Sequence, residues 1–247
     1  FCLHEYIKTL IASEKGELPP PKTFQDWIYA TFGKGIAECY LIPYNRKIWN
    51  YPPEKMSAHW VEGRVPRPPV EDIIRSAVGI ETEGYTHQAV FSYPQEGGIE
   101  ALVRAIALPV TDRITCGFRV SSIRRCREGW EISDGTRTIS ADRLISTIPL
   151  LNLIPALEGV PKQVREAVGA LRYNSVCSVF IGVRGTVPDI SWLYVPSEEI
   201  GMLNRVSFPS NYSTGVAPKG CGSVLAEITY NEGDPLTGMN DAEIITH

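Results

Sequence analysis

The sequence predicts a mixed α+β protein, and three observations carry that expectation. Residues 1–88 place apolar side chains at helical spacing and are punctuated by proline. From Ala89 short β-type runs alternate with turn residues, and Asp134-Gly135 stands between two of them as a hairpin turn. Beyond residue 172 four apolar runs follow one another closely, which favours an antiparallel sheet. The expected segments are 1–88, 89–150 and 151–247.

Residues 1–18 read as a helix that ends at Glu17-Leu18-Pro19-Pro20-Pro21. Thr23 caps a second helix in which Phe24, Trp27, Ile28 and Phe32 fall near one face. Gly33 and Gly35 break it, and residues 36–49 read as another short helix. Pro66, Pro68 and Pro69 mark an extended crossing before a helix at 70–79. Residues 89–94 read as a strand, and Gly97-Gly98 opens a helix. Strands are expected at 113–116, 118–125, 130–133, 138–140 and 143–147, then a helix at 161–171. The last strands are expected at 176–183, 191–196, 201–208 and 222–230, with Asn240 capping a final helix. Residue 1 is Phe and helical pattern reaches both ends, so the chain reads as an internal piece of a longer protein.

Hydrophobic residues at 43% and charged residues at 21% are those of an ordinary globular protein. A net charge of −4 gives no electrostatic case for nucleic acid. The least polar stretch, residues 144–157, is too short and too broken by proline to form an integral membrane segment. Six cysteines are scattered without CxxC pairing, and only four histidines occur. That pattern suits reduced thiols in a cytoplasmic protein, without a disulfide framework or zinc site.

Residues 40–67 combine three Tyr, two Trp, two Asn and several Arg. Such a mixture suits a surface that stacks on a flat ring and clamps an anion, and a buried aromatic connection suits it equally. Pro43, Pro52 and Pro53 argue against a core helix there. Asn45 and Trp49, four apart, share a helix face, where an amide can read a base edge and an indole can stack on it. A core Trp beside an Asn that ends a helix is the plainer alternative. Arg64 and Arg205 offer bidentate forks for a diphosphate, which Lys cannot reproduce. Trp192 and Tyr194 fall on one face of a strand close to Arg205. No GxGxxG, P-loop, GxSxG or HExxH occurs.

Six stretches, FGKGIAECYLIPYNRKIW, VEGRVPRP, FSYPQEGGIEALVRAIA, ISADRLISTIP, WLYVP and LNRVSFPSNYS, cover most of residues 32–230. In composition and order they resemble the superfamily of FAD-dependent amine oxidases, protoporphyrinogen oxidases and UDP-galactopyranose mutases, and most nearly the mutase branch of eukaryotic type. The resemblance implies FAD as cofactor and a nucleotide sugar as substrate. It places Tyr40, Asn45 and Trp49 in a uridine pocket and Arg64 and Arg205 on the diphosphate. Trp192 and Tyr194 come near sugar and phosphate, and Gln88 supplies an amide near the substrate. Val120 would offer its backbone to the flavin adenine, and the run containing Thr147 and Pro149 would return beneath the nucleotide. Residues 1–88 are then a helical substrate-binding segment, 89–150 part of an FAD-binding domain, and 151–247 a sheet-based substrate domain. The implied reaction is a flavin-mediated ring contraction without net redox change, for which the protein supplies position and charge stabilisation. Two alternatives are an FAD-dependent oxidoreductase and a non-catalytic binding fragment. The family's N-terminal FAD fingerprint and C-terminal flavin-facing segment have no counterpart in this sequence, and the oligomeric state is left open.

Overall fold

The structure, a computed structural model, describes residues 1–61, 64–82 and 90–246. Along the chain come α1 (Cys2–Glu14), α2 (Phe24–Ile36), α3 (Ile42–Trp49) and α4 (Val70–Ala77). Next are α5 (Glu100–Ala107), β1 (Ser122–Cys126), β2 (Gly129–Ser133), β3 (Thr138–Ala141), α6 (Leu150–Ala156) and α7 (Lys162–Gly169). Then follow β4 (Ser175–Arg184), β5 (Trp192–Tyr194), β6 (Arg205–Ser207), β7 (Cys221–Tyr230) and α8 (Asp241–Thr246). The α+β class expected from the sequence is the class observed. The chain divides into two compact units, residues 1–103 with 174–247 and residues 104–173.

The first unit begins with two closely approached helices. Thr23 caps α2 through a reciprocal box with Asp26. A Cβ on Gly35 would stand 2.5 Å from the Cα of Cys2, and one on Gly33 2.6 Å from the carbonyl oxygen of Glu5. Only glycine permits that approach. Gly33, at φ 72°, kinks the helix where the break was expected, but helical backbone resumes beyond it. A π-turn over Ala37–Leu41 then leads into α3. The short helix expected over residues 36–49 thus forms, and Pro43, taken to argue only against a core helix, lies in the first turn of α3, just after the π-turn. First-turn N–H groups need no intrahelical partner, so a proline there removes nothing. Asn50 ends α3 in the left-handed conformation. Phe24, Trp27, Ile28, Phe32, Ala37, Ile42 and Val61 form the buried core beneath these helices.

The sheet of this unit has the order β4-β7-β6-β5, antiparallel throughout. Its register sets Tyr194 opposite Arg205 and Arg205 opposite Glu227. Directly opposed residues project from the same face, so these three form one row across three strands.

The second unit is a three-stranded antiparallel meander, β1-β2-β3, with α6 and α7. Ile123 and Ile132 pair across β1 and β2 and are both buried. The Asp134-Gly135 turn joins β2 to β3 as expected, with the Asp134 carboxylate accepting from the N–H groups of Thr136 and Arg137. Several expected strands are not formed: residues 90–94, 113–116, 118–121 and 143–147 lie outside any strand. A strand needs a hydrogen-bonded neighbour, and among the described residues these runs join no sheet ladder, the one link being Ser121 to Ser133 at the end of β2. Ile145 is accordingly 90% exposed and Val90 85%. No helix among the described residues is long and apolar enough to cross a membrane.

Candidate functional site

Helix α3 carries the aromatic motif to the sheet of the first unit. The rings of Tyr40 and Tyr44, one helical step apart, stack with centroids 5.4 Å apart and planes 3° apart. Tyr44 also meets Tyr194 on β5 at 4.8 Å and 58°. Beside Tyr194 stands Arg205, whose Nε and Nη2 donate to the two carboxylate oxygens of Glu227, the Nη2 bond at 2.8 Å. Burial, reinforced by Tyr194, holds the Tyr44 phenol well above its ordinary pKa, and the same two causes raise Tyr40. The hydrogen bond to Glu227 raises Arg205 further. Lys47, one turn beyond Tyr44, donates to the carbonyl of Ser197 at 2.5 Å and ties α3 to the segment after β5. Burial lowers its pKa, with Glu198 opposing.

Asn45 and Trp49 are joined as their spacing suggested, but the amide faces inward. Asn45 is 7% exposed. Its Nδ2 donates to the carbonyl of Leu41 at 2.7 Å, and its Oδ1 accepts from the Trp49 indole at 3.2 Å. Asn174 donates to the Trp49 carbonyl at 2.7 Å. Asn45 therefore braces the indole, whose residue remains 37% exposed. Trp60 packs edge-on against Trp49 at 5.2 Å and against Phe24 at 4.9 Å.

Trp192, two residues before Tyr194 on β5, extends the aromatic surface. Phe91 lies 6.0 Å from Trp192 and 5.2 Å from Tyr212, and Tyr93 lies 5.4 Å from Tyr212. The Tyr212 hydroxyl donates to the carbonyl of Ser191 at 3.1 Å, fixing that ring beside β5.

The sequence-derived candidates thus separate. Tyr40, Tyr194 and Arg205 belong to one contact chain, which Trp192 prolongs along β5. Asn45 and Trp49 form a second pair. Arg64 is exposed, held by its backbone to Val61, and its guanidinium has no hydrogen-bond or ion-pair partner among the described residues. It does not pair with the Arg205–Glu227 couple. Gln88 lies outside the described residues. In the second unit the peptide of Val120 has no hydrogen-bond partner among the described residues, while the next N–H, of Ser121, donates to the carbonyl of Ser133 at 2.8 Å. Thr147 and Pro149 lie on exposed chain leading into α6. Three members of the cluster escaped the sequence reading: Tyr44, Lys47 and Glu227. Tyr44 was signalled by its four-residue spacing from Tyr40. Glu227 was signalled as the one charge in the apolar run GSVLAEITY, where a carboxylate needs a partner.

The sequence model of the family described as flavin containing amine oxidoreductase matches residues 32–247. A solved structure of reduced UDP-galactopyranose mutase is similar at a TM-score of 0.84 and 30% identity, over 99% of this chain and 54% of that one. A candidate protoporphyrinogen oxidase from Exiguobacterium sp. is similar at a TM-score of 0.68 and 16% identity, over 98% of this chain and 53% of that one. An oxidoreductase from Methanosarcina mazei is similar at 0.58 and 19%, over 97% and 54%. The last two likenesses are of fold alone. This chain spans about half the length of each of these proteins.

Proposed function

Because the chain belongs to the flavin containing amine oxidoreductase family, we propose that it forms the substrate-binding part, and a share of the FAD-binding part, of a flavoenzyme acting on a nucleotide sugar. The reaction proposed is the mutase type, interconversion of the sugar's ring forms. The observation that carries this reading is the contact chain Tyr40–Tyr44–Tyr194–Arg205, in which flat rings adjoin a fixed guanidinium. Flat rings suit a nucleobase and sugar, and a guanidinium suits a diphosphate.

In this reading Trp49, steadied by Asn45, stacks on the uracil with Tyr40 nearby. Arg205 and Arg64 hold the diphosphate, and Tyr194 and Trp192 line the sugar end. Gln88 is proposed beside the substrate. The cofactor is FAD, and when bound it supplies the bond-making chemistry at the anomeric carbon. The free peptide of Val120 fits main-chain recognition of the adenine edge, which needs one donor and one acceptor. Thr147 and Pro149 are proposed to flank the same nucleotide. The segments 1–88, 89–150 and 151–247 are proposed as substrate-binding, FAD-binding and substrate portions. The residues of this chain bind, orient and steady the negative charge that develops on the departing diphosphate.

Calorimetric titration of the full-length, flavin-loaded protein with UDP tests the reading. Binding is expected, weakened by about tenfold or more in Arg205→Ala and Trp49→Ala, as loss of a charge-assisted contact or of a stacking face demands. A flavin-loaded protein that does not bind UDP would contradict it and favour an oxidoreductase acting on an apolar substrate.

A further inference from the structure

We infer that Glu227 is a positioning residue that both aims Arg205 and cancels its charge, so that Arg205 meets an anionic ligand through directed N–H groups rather than through net charge. The inference rests on the nucleotide-sugar reading above. Strand β6 lies between β5 and β7, and Arg205 is flanked by Tyr194 on one side and Glu227 on the other. Its Nε–Nη2 edge is taken by both oxygens of Glu227. Nη1 is not used by Glu227, and Tyr194, the neighbour of Arg205 on β5, also interacts with the guanidinium. A guanidinium anchored along one edge cannot swing, which makes the remaining edge a rigid donor. The Glu227 side chain is 13% exposed and that of Arg205 40%. The two form an ion pair, which as a pair carries no net charge.

Arg64 is the contrast, since it is exposed and has no carboxylate partner among the described residues. The two arginines therefore divide the work. Arg64 contributes charge, which salt screens; Arg205 contributes direction, which salt affects little.

The test is UDP titration of the full-length, flavin-loaded protein between about 0.01 and about 1 M NaCl, where the screening length falls from about 30 to about 3 Å. Glu227→Gln keeps the side-chain shape but leaves Arg205 one acceptor and its full charge. Its affinity is expected to fall with salt about fivefold more than that of the wild type, the worth of one added contact charge in water. Turnover of UDP-galactofuranose by the reduced protein is expected to fall in the same variant, because the aimed edge is lost. Glu227→Asp keeps the charge and restores the wild-type salt dependence. Arg205→Gln leaves Glu227 bare to offset Arg64, so its affinity is expected to fall with salt less than that of the wild type. A merely structural role would lower thermal stability and leave these salt dependences alone. Wild-type salt dependence in Glu227→Gln, or weakening by salt as steep as the wild type's in Arg205→Gln, would overturn the inference. Failure of the wild type to bind UDP at any salt would instead overturn the nucleotide-sugar reading, and the inference with it.

Discussion

The ring of Tyr44 on α3 meets the ring of Tyr194 on β5 at 4.8 Å, and the same Tyr44 ring stacks on Tyr40. Through this side chain the helical part of the first unit reaches Tyr194, and with it the row Tyr194–Arg205–Glu227. Each aromatic pair is worth about 0.5–1.5 kcal/mol beyond burial. Tyr44→Ala is expected to weaken UDP binding by about tenfold, whereas Tyr44→Phe, which keeps both ring contacts, retains most of it. Calorimetry on the full-length protein decides this, and an Ala variant that binds like the wild type would refute the role of the ring.

The approach of α1 and α2 depends on glycine. Gly35→Ala would drive a methyl to 2.5 Å from the Cα of Cys2, a backbone atom that cannot swing aside. A loss of about 1–3 kcal/mol is expected from such overpacking. Gly182→Ala, on β4 with open space around it, is expected to be neutral or slightly stabilising. Urea unfolding of the two variants side by side checks the contrast; equal midpoints would contradict it.

A polar clamp closes the end of α3. Asn50, at φ 45°, donates from Nδ2 to Asp234 at 2.5 Å, and Asn231 donates from its side chain to the Asn50 carbonyl at 2.9 Å and from its N–H to Asp234 at 2.7 Å. Asp234→Ala leaves two donors unmet and is expected to cost about 1–3 kcal/mol. Asn50→Gly is expected to cost less, because glycine adopts that backbone freely. The order of the two urea midpoints is the observable, and a reversed order would sink the account of the clamp.

Asp134 gives a pH dependence to the second unit. The backbone N–H groups of Arg137 and Thr136, then the Arg137 guanidinium, pull its carboxyl from the ordinary 3.8 down to about 2. A folded pKa below the unfolded one means the contribution is present above about pH 3.8 and is lost as pH falls through about 2. Carbon-13 carboxyl titration by NMR, assigned with Asp134→Asn, is expected to show a midpoint near 2. A midpoint at the ordinary value would mean that the turn does not hold the carboxylate.

Local chemistry made much of this fold legible. Thr23 announced the start of α2, Asp134-Gly135 announced the hairpin, and the apolar runs after residue 172 announced the antiparallel sheet. What depends on register was not legible. Arg205 and Glu227 are 22 residues apart in sequence and meet only because β6 and β7 pair as they do. Asn45 suited a base edge by residue type, yet the neighbouring carbonyl and indole claim its amide first. The runs at 113–116 and 143–147 have β-type composition, but composition cannot supply the neighbour that a strand requires.

The most direct test is chromatography of UDP-galactofuranose after incubation with the reduced, full-length protein. The account predicts conversion to UDP-galactopyranose, lost in Arg205→Ala with the flavin still bound and reducible. No conversion by a wild-type protein whose flavin is present and reducible would contradict it.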